Sequence, residues 1–337
     1  MTAWEKFESK RRDDKALAGT QGGSMITLQM TRRHWTILIV LAAIWGSAFL
    51  FIHVAVRAWP PLTYVALRML VAAVALALYM LVRREPLGLP RQLIAPLSLI
   101  AILNNLLPFA LFGWAQTQIA SSLAAILNAT SPMWAALIAH AATRDEPLTP
   151  LRLLGISIGI GGVAVMLSDQ LMGGQLGSLP AELACLVAAA SYAVAGVYAR
   201  RFRRLSVEPM RVAYGQLLTG ALIMVPVALV VDGSAVLQAP SPKAIGAILG
   251  LGVLCSSFAY ILYFRLIAEA GATNAFLVTI LVPPFAILIG WAVLGETLGI
   301  AELAGLGLIA LGLAAIDGRW FQRRAPRATV PSSRPAE

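Results

Sequence analysis

The first long apolar stretch, residues 34–55, reads HWTILIVLAAIWGSAFLFIHVA and contains no Lys, Arg, Asp or Glu. An α-helix needs roughly 20 apolar residues to cross the hydrocarbon core of a bilayer, so this stretch is long enough to span a membrane. Several stretches of similar length follow it along the chain. Because lipid offers no hydrogen-bond partner to the backbone, stretches this long cross membranes as helices and not as strands of a barrel.

The composition of the whole chain supports the same conclusion. Of its 337 residues, 59% are hydrophobic and only 12% are charged, whereas soluble domains are about 45–50% apolar and about 25% charged. The formal net charge of +10 does not indicate nucleic-acid binding, because the basic residues lie between apolar stretches and not along one soluble face. We expect an all-α integral membrane protein whose partners are the lipid bilayer and a small molecule, and not a nucleic acid.

Polar breaks divide the apolar sequence into ten predicted transmembrane helices. They lie near residues 34–55, 61–82, 93–115, 118–141, 149–168, 180–199, 209–231, 243–265, 272–294 and 299–317. The least obvious boundary is Gln116-Thr117-Gln118, placed there because the surrounding apolar sequence is too long for a single span. Residues 1–33 and 318–337 are polar and basic, and we interpret them as cytoplasmic tails, the first of them disordered.

The basic residues orient these helices. With both termini in the cytoplasm, all but three of the 26 Lys and Arg residues fall on the cytoplasmic side. The exceptions are Arg57 and Lys243 on the outer side and Arg68 within the second helix. Because positive residues are enriched in cytoplasmic loops, this distribution favours ten helices with both ends inside, in a plasma membrane of the bacterial inner-membrane type.

The two halves of the chain repeat one another. Two series of residues have identical spacing: Glu146, Gly155 and Gly162 in the first half, and Glu296, Gly305 and Gly312 in the second. Each half holds five predicted helices, and an odd number makes the second copy enter the membrane from the opposite side. We therefore expect one repeat at 34–168 and a second, inverted repeat at 180–317. Inverted repeats are the architecture of many secondary transporters.

Further motifs occur in a fixed order: Ile44-Trp45-Gly46-Ser47-Ala48-Phe49, Pro61, Arg68, Pro132, Leu148-Thr149-Pro150, Pro283 and Gly295-Glu296. Together with the repeated glycines they resemble the EamA family of the drug/metabolite transporter superfamily, over residues 34–317. The resemblance implies a ten-helix, inverted-repeat carrier, often an exporter of amino acids or related metabolites. Arg144-Asp145, before Glu146, departs from the family pattern, which usually has small or apolar residues there.

Polar and aromatic residues inside the predicted helices are candidates for the wall of a substrate cavity, because amides and hydroxyls facing lipid would be unsatisfied. The candidates are Trp45, Arg68, Asn104, Asn105, Asn128, Ser131, Trp134, Tyr192, Ser256, Ser257, Tyr260, Asn274 and Thr279. Arg68, a charge deep in a span, either attracts a substrate carboxylate or bonds to a neighbouring helix or extends to the membrane surface. For the other candidates, packing between helices is the alternative.

Prolines, glutamates and glycines mark structural positions. Pro132, Pro283 and Pro284 are expected to interrupt their helices and are candidates for kinks or gates. Glu146 and Glu296 lie at helix ends on opposite faces of the membrane, and each is expected to stabilise the N-terminus of the helix that follows it. The repeated glycines predict close-packing surfaces on the fifth and tenth helices.

Motifs for ATP binding, zinc-dependent proteolysis and serine hydrolysis are absent from the sequence, as is any Cys/His cluster. We therefore expect no catalytic residue, metal or cofactor. The sequence predicts a secondary transporter that moves a small neutral or zwitterionic metabolite, with amino acids favoured, by alternating access and in the direction of export. The alternative is a membrane-embedded enzyme or flippase that acts on a lipid precursor. Oligomeric state, coupling ion, substrate identity and the choice between export and uptake are left open.

Overall fold

The computed structural model describes residues 30–142, 148–173, 178–237 and 240–317, and the regular elements in these ranges are helical. Ten of them, named α1 to α10, form the membrane domain. They are Arg32–Ala55, Pro61–Val82, Arg91–Ala115, Ser121–Ala142, Pro150–Gly173, Leu179–Arg204, Pro209–Val231, Pro242–Ala270, Val278–Leu294 and Ile300–Asp317. Within the described ranges, eight are long and apolar enough to cross a membrane, and α9 and α10 are shorter apolar helices. The predicted all-α membrane protein of ten helices is confirmed.

The helix ends differ most from prediction where charged residues continue a helix past its apolar part. α6 runs to Arg204, since three arginines in its last turn favour the negative end of the helix dipole. α8 runs to Ala270, and its last turns carry an i,i+4 pair in which Arg265 Nε lies 2.8 Å from Glu269 Oε1. α1 begins at Arg32, inside the predicted tail. Residues 1–29 and 318–337, and Glu146, lie outside the described residues.

Proline changes the course of α4 and α9 in different ways. α4 consists of Ser121–Asn128 and Ser131–Ala142, and its first part ends four residues before Pro132 because a proline ring clashes with the carbonyl of residue i−4. In α9 the prolines Pro283 and Pro284 lie inside the α-helical part. A one-turn helix, Ala272–Ala275, precedes α9. The sequence predicts an interruption at these prolines. The structure instead places the interruption upstream of them, between the one-turn helix and α9.

Three π-helical segments occur among the described residues: Ile102–Leu106 in α3, Gly250–Phe258 in α8 and Gly290–Leu294 at the end of α9. Segments of this kind are rare and are found frequently at functional sites. The first two lie in the middle of their helices. Each contains two predicted cavity residues, Asn104 and Asn105 in α3 and Ser256 and Ser257 in α8.

α5 and α10 pack closely through the repeated glycines. A Cβ atom added to Gly155 would lie 2.5 Å from the carbonyl oxygen of Gly312, and one added to Gly162 would lie 2.7 Å from that of Gly305. The contacts are reciprocal, because a Cβ atom on Gly312 or Gly305 would meet the carbonyl oxygen of its partner. No side chain fits at these contacts, which agrees with the predicted close-packing surfaces.

The other helices surround the centre of the molecule in matching pairs. α1 packs against α9 and α8, and α6 packs against α4 and α3. α2 packs against α7 and α8, and α7 packs against α2 and α3. Most buried apolar residues of these helices form one large core, and a smaller separate cluster on α3, α6 and α7 consists of Leu93, Leu97, Ile100, Phe202 and Val212. The two central π-helical segments lie within this arrangement, so their polar side chains are turned toward neighbouring helices.

Candidate functional site

Arg68 lies seven residues into α2 and is only 5% exposed. Its Nε donates to Ser256 Oγ at 3.3 Å, and its guanidinium carbon lies 3.6 Å from the centroid of the Phe109 ring. The Ser256 hydroxyl is held in turn, because it donates to the carbonyl oxygen of Leu251 at 2.8 Å. α2, α3 and α8 thus position this cation together, and it does not extend to the membrane surface.

No residue in the described part of the chain neutralises the charge of Arg68. Among the described residues, no carboxylate forms an ion pair with it and its two Nη atoms have no hydrogen-bond partner. The Nη atoms also remain accessible, because they are not among the fully buried polar atoms that lack a hydrogen-bond partner. An arginine in mid-membrane costs about 2.5–3.5 kcal/mol, and a desolvated cation–π contact offsets about 2 kcal/mol of that. The remaining donors can receive a carboxylate through two parallel hydrogen bonds.

One turn further along α8, a network of amides joins α3, α7 and α8. Asn104 Nδ2 and Asn105 Nδ2 each donate to Gln216 Oε1 at 3.1 Å. The Tyr260 hydroxyl donates to Asn105 Oδ1 at 3.2 Å and lies 3.4 Å from Asn104 Nδ2. The structure therefore brings together five of the polar candidates: Arg68, Asn104, Asn105, Ser256 and Tyr260.

Gln216 was missed by the sequence-based prediction, although it is only 4% exposed and accepts both asparagine amides. The available signal was a lone amide inside the apolar helix Pro209–Val231. Two polar atoms of the network, Gln216 Nε2 and Asn104 Oδ1, have no hydrogen-bond partner among the described residues. They offer a donor and an acceptor to a bound molecule.

Aromatic rings on α1, α3, α6 and α8 pack against one another beside this region. The Trp45 ring centroid is 5.4 Å from that of Tyr263, and its Nε1 donates to a backbone carbonyl of α8 at 3.2 Å. Tyr192 stacks on Phe112 at 6.3 Å, and Phe112 meets Phe49 edge-on at 5.8 Å. Of the predicted aromatic candidates, Trp45 and Tyr192 are thus partly buried at contacts between helices.

The hydroxyl candidates outside the network make local or interhelical bonds. Ser257 Oγ donates to the carbonyl oxygen of Ala72 at 2.8 Å and ties α8 to α2. Ser131 Oγ donates to the carbonyl oxygen of Asn128 at 2.7 Å across the break in α4. These contacts stabilise the helices next to the site, and Trp134 lies partly buried in the second part of α4.

Two further candidates lie in the one-turn helix before α9 and at the start of α9 itself. Asn274 Nδ2 donates to the carbonyl oxygen of Ala270 at 2.9 Å, and Thr279 Oγ1 donates to that of Phe276 at 2.8 Å. Both bonds stay within one turn of the chain. Both bonds stabilise the chain where it enters α9.

At the opposite end of α9, Glu296 binds the start of α4. Its carboxylate accepts from the backbone N–H and hydroxyl of Ser121 at 2.8 and 3.0 Å, and from those of Ser122 at 3.0 and 2.7 Å. Glu296 was expected to stabilise the helix that follows it, α10, and that assignment is wrong. Gly295, with a φ of 68°, turns the chain so that the carboxylate meets a different helix.

The surroundings of Glu296 keep it ionised. Burial on its own would raise the pKa of this carboxyl, but the hydrogen bonds from Ser122 and Ser121 outweigh burial and hold the pKa below 4.5. A second carboxylate acts similarly nearby in the fold: Asp232 Oδ2 accepts from the Thr63 backbone N–H at 2.8 Å and from its hydroxyl at 2.6 Å. Acidic residues at the ends of α7 and α9 thus stabilise the N-termini of α2 and α4.

Three of the known proteins that this chain resembles have a similar length. YedA of Escherichia coli (strain K12), named as an uncharacterized inner membrane transporter, is 29% identical over 287 residues, 83% of this chain and 89% of that protein. An S-adenosylmethionine/S-adenosylhomocysteine transporter of Chlamydia trachomatis (serovar L2) is 28% identical, covering 85% of this chain and 90% of that one. A probable terminal-alkyne amino-acid exporter of Streptantibioticus cattleyicolor is 26% identical, covering 90% and 99%.

A solved crystal structure and a family model complete the comparison. The crystal structure matches with a TM-score of 0.62 at 19% identity, over 87% of this chain and 99% of the other, which indicates a shared fold. The model of the EamA-like transporter family matches residues 34–168 and again residues 179–316. The chain belongs to the EamA-like transporter family and is a multi-pass protein of the inner membrane.

Proposed function

We propose that this protein is a secondary transporter that exports a small molecule with an amino-acid head group, without a catalytic step. The observation that carries the proposal is the unneutralised charge of Arg68, which is 5% exposed and has no carboxylate partner among the described residues. A substrate carboxylate would supply the missing partner through both Nη atoms. This substrate would leave the existing contacts of Arg68 intact. Nε keeps its bond to Ser256, and the face of the guanidinium keeps its contact with the Phe109 ring.

The amide network supplies the second half of a zwitterion site. Asn104 Oδ1 is an acceptor without a partner among the described residues, and an α-ammonium group is a donor of three hydrogen bonds. The network contains no carboxylate, so it favours a single ammonium group beside a carboxylate over a polycation. The rings of Trp45 and Tyr192 then supply an apolar wall for a side chain.

The names of two relatives support the same substrate class. S-adenosylmethionine and an alkyne-bearing amino acid differ in size and in charge. Both compounds carry an α-amino group and an α-carboxylate on one carbon atom. A site that recognises this head group, and leaves the rest of the molecule to an adaptable wall, would serve either compound.

We also propose that the two halves are inverted repeats and that alternating access moves the substrate. The reciprocal contacts Gly155–Gly312 and Gly162–Gly305 support a two-fold axis between α5 and α10, because exchanging the halves converts one pair into the other. The pairing of α1 with α9 matches that of α6 with α4. The central π-helical segments of α3 and α8 occupy matching positions as well. Rocking of one half against the other would expose the Arg68 region to each side in turn.

The proposal is tested by efflux of preloaded radiolabelled L-amino acids from proteoliposomes. We compare wild type with Arg68→Gln, and with Arg83→Gln as the control, an exposed arginine at the other end of the same helix. A charge-assisted hydrogen bond contributes about 1.5–3 kcal/mol, so Arg68→Gln is expected to lower kcat/KM about 10- to 100-fold. The control is expected to transport like wild type.

A second measurement separates recognition from folding. Wild type is expected to prefer an amino acid over the corresponding amine, which lacks the carboxylate, and Arg68→Gln is expected to lose this preference while it still folds. Equal efflux of acid and amine by wild type would refute a carboxylate site at Arg68. Absence of saturable efflux for every L-amino acid, from protein shown to be folded and inserted, would refute the substrate class.

A further inference from the structure

A second polar site, separate from Arg68, lies at the end of the molecule where α1 finishes. A cavity of about 370 Å³ opens between the end of α1, the connection from α3 to α4 and the connection from α9 to α10. We call it the outer pocket and define it by His53, Arg57, Gln116, Thr117 and Glu296, which line it. Its volume lies in the range of pockets that hold small ligands, on the order of 300–1,000 Å³, and far exceeds the space that one water needs.

Gln116 is the feature that points to a ligand. It is only 4% exposed, and both its Nε2 and its Oε1 are buried without a hydrogen-bond partner among the described residues. His53 Nδ1, which lines the same pocket, is also buried and without a partner there. A buried amide that bonds to nothing is unfavourable, so such groups normally have a bound molecule or ordered water beside them. A ligand that both donates and accepts hydrogen bonds would satisfy Gln116 completely.

The charges of the outer pocket define the ligand further. Arg57 is exposed and, among the described residues, makes no ion pair or hydrogen bond. The carboxylate of Glu296 is engaged with α4, but Oε1 accepts only one of its four hydrogen bonds and keeps room for another. The pocket therefore presents a free cation and an acceptor beside a carboxylate, a pattern that matches a carboxylate and an ammonium group on one small molecule.

We propose that the outer pocket is a binding site for a small zwitterion, with the carboxylate on Arg57 and the ammonium group between Gln116 Oε1 and Glu296 Oε1. This identification of the ligand rests on the proposed function, in which the exported compound carries an amino-acid head group. The outer pocket is then the last site that the compound occupies before release. Arg68 and the outer pocket form two carboxylate-binding positions on α2 and just after α1, at different depths in the protein.

The test uses a cysteine placed at the rim of the pocket. Thr117 is exposed and lines the pocket, and both native cysteines, Cys185 and Cys255, are buried. Thr117→Cys therefore adds an accessible thiol, with wild type as the unreactive control. Lys243→Cys, exposed at the start of α8 and outside the pocket lining, is the control that detects any direct effect of an amino acid on the reagent. The rate of modification by a charged methanethiosulfonate reagent is measured on full-length protein in nanodiscs, so that both faces are accessible.

The twenty L-amino acids are the probes, each compared with an amine that lacks its carboxylate. At a concentration tenfold above its dissociation constant, a bound amino acid slows modification of Thr117→Cys about tenfold, because only unoccupied pockets react. The amines and the Lys243→Cys control are expected to give no protection. Arg57→Ala and Gln116→Met in the Thr117→Cys background are expected to abolish protection, and Arg68→Gln is expected to retain it.

The outcomes separate this proposal from the transport function. Protection that survives Arg57→Ala and Gln116→Met but disappears with Arg68→Gln would place the ligand at the central site alone and overturn the outer pocket. Lack of protection by every amino acid, in protein whose proteoliposomes show amino-acid efflux, would overturn the outer pocket and leave the carrier intact. Protection without efflux would support the outer pocket and refute the transport function.

Discussion

Replacing Glu296 by Gln tests the contact between the α9–α10 connection and α4. The wild-type carboxylate accepts four hydrogen bonds, two of them from the first backbone N–H groups of α4. A glutamine keeps one acceptor oxygen, so it keeps at most the three bonds made by Oε2 and places an NH₂ group against the Ser121 N–H. The substitution thus removes the negative charge at a helix N-terminus and leaves one backbone donor without its partner.

The magnitude follows from these losses. A charge-assisted hydrogen bond contributes about 1.5–3 kcal/mol, and loss of an N-terminal cap costs about 0.5–2 kcal/mol. Glu296 is only partly buried, so water replaces some of the lost bonds and the lower half of these ranges applies. We expect Glu296→Gln to lower the free energy of unfolding by about 2 kcal/mol, which corresponds to a fall in Tm of roughly 3 °C for a chain of 337 residues.

The assay is thermal unfolding of purified protein in detergent, with Glu208→Gln as the matched control. Glu208 also precedes a helix, α7, but its side chain makes no capping hydrogen bond. The pKa of Glu296 lies below 4.5 in the folded protein, so its contribution is present above pH 4.5 and is lost as the pH falls through the folded-state value. The difference between wild type and Glu296→Gln should therefore hold from pH 7 down to pH 4.5 and shrink as the pH falls below that value. Equal Tm values for the two variants at pH 7 would refute the contact.

Two further predictions concern packing and the amide network. Gly155→Val would drive a Cβ atom to 2.5 Å from the Gly312 carbonyl oxygen, so we expect a loss of roughly 3 kcal/mol or more in stability, whereas Gly161→Val, which meets open space, should be nearly neutral in the same thermal assay. Gln216→Leu would leave two asparagine amides without their acceptor, and we expect it to lower stability by about 1–3 kcal/mol and to reduce efflux. Unchanged stability and efflux of Gln216→Leu would contradict the network.

The number, order and approximate ends of the helices could be predicted from the sequence, because insertion into lipid depends on local apolar length. The π-helical segments could not, since Ile102–Leu106 and Gly250–Phe258 carry no local signal distinct from the apolar sequence around them. The break in α4 was marked by Pro132, but the corresponding break before α9 lies where no proline stands. Local sequence thus gives where a helix crosses the membrane and not how it is distorted.

Site residues were predictable as types and not as partners. Arg68 stood out as a charge within a span, yet its contacts come from α3 and α8, up to 188 positions away in the chain. Glu296 was identified from the repeat, but its partner Ser121 is 175 positions away in the chain, and the sequence did not predict a contact between them. Gln216 was overlooked because a single amide in an apolar stretch does not distinguish a site residue from one that only packs between helices. Only the packing of α7 against α3 reveals that it joins two asparagines.

The strength of the Glu296 contact suits the alternating access proposed above. A bond network worth about 2 kcal/mol biases a two-state equilibrium by about 30-fold, which a substrate can reverse through a modest difference in affinity between the two states. The α5–α10 contact differs because it rests on close packing: its glycines allow the two backbones to touch over two turns. Among the described residues, no side-chain hydrogen bond joins these helices that could break and re-form during a movement. Movement that separates α4 from the α9–α10 connection is therefore inexpensive, whereas movement that separates α5 from α10 would lose close packing along the whole crossing. The halves should rock about α5 and α10 and open between α4 and α9.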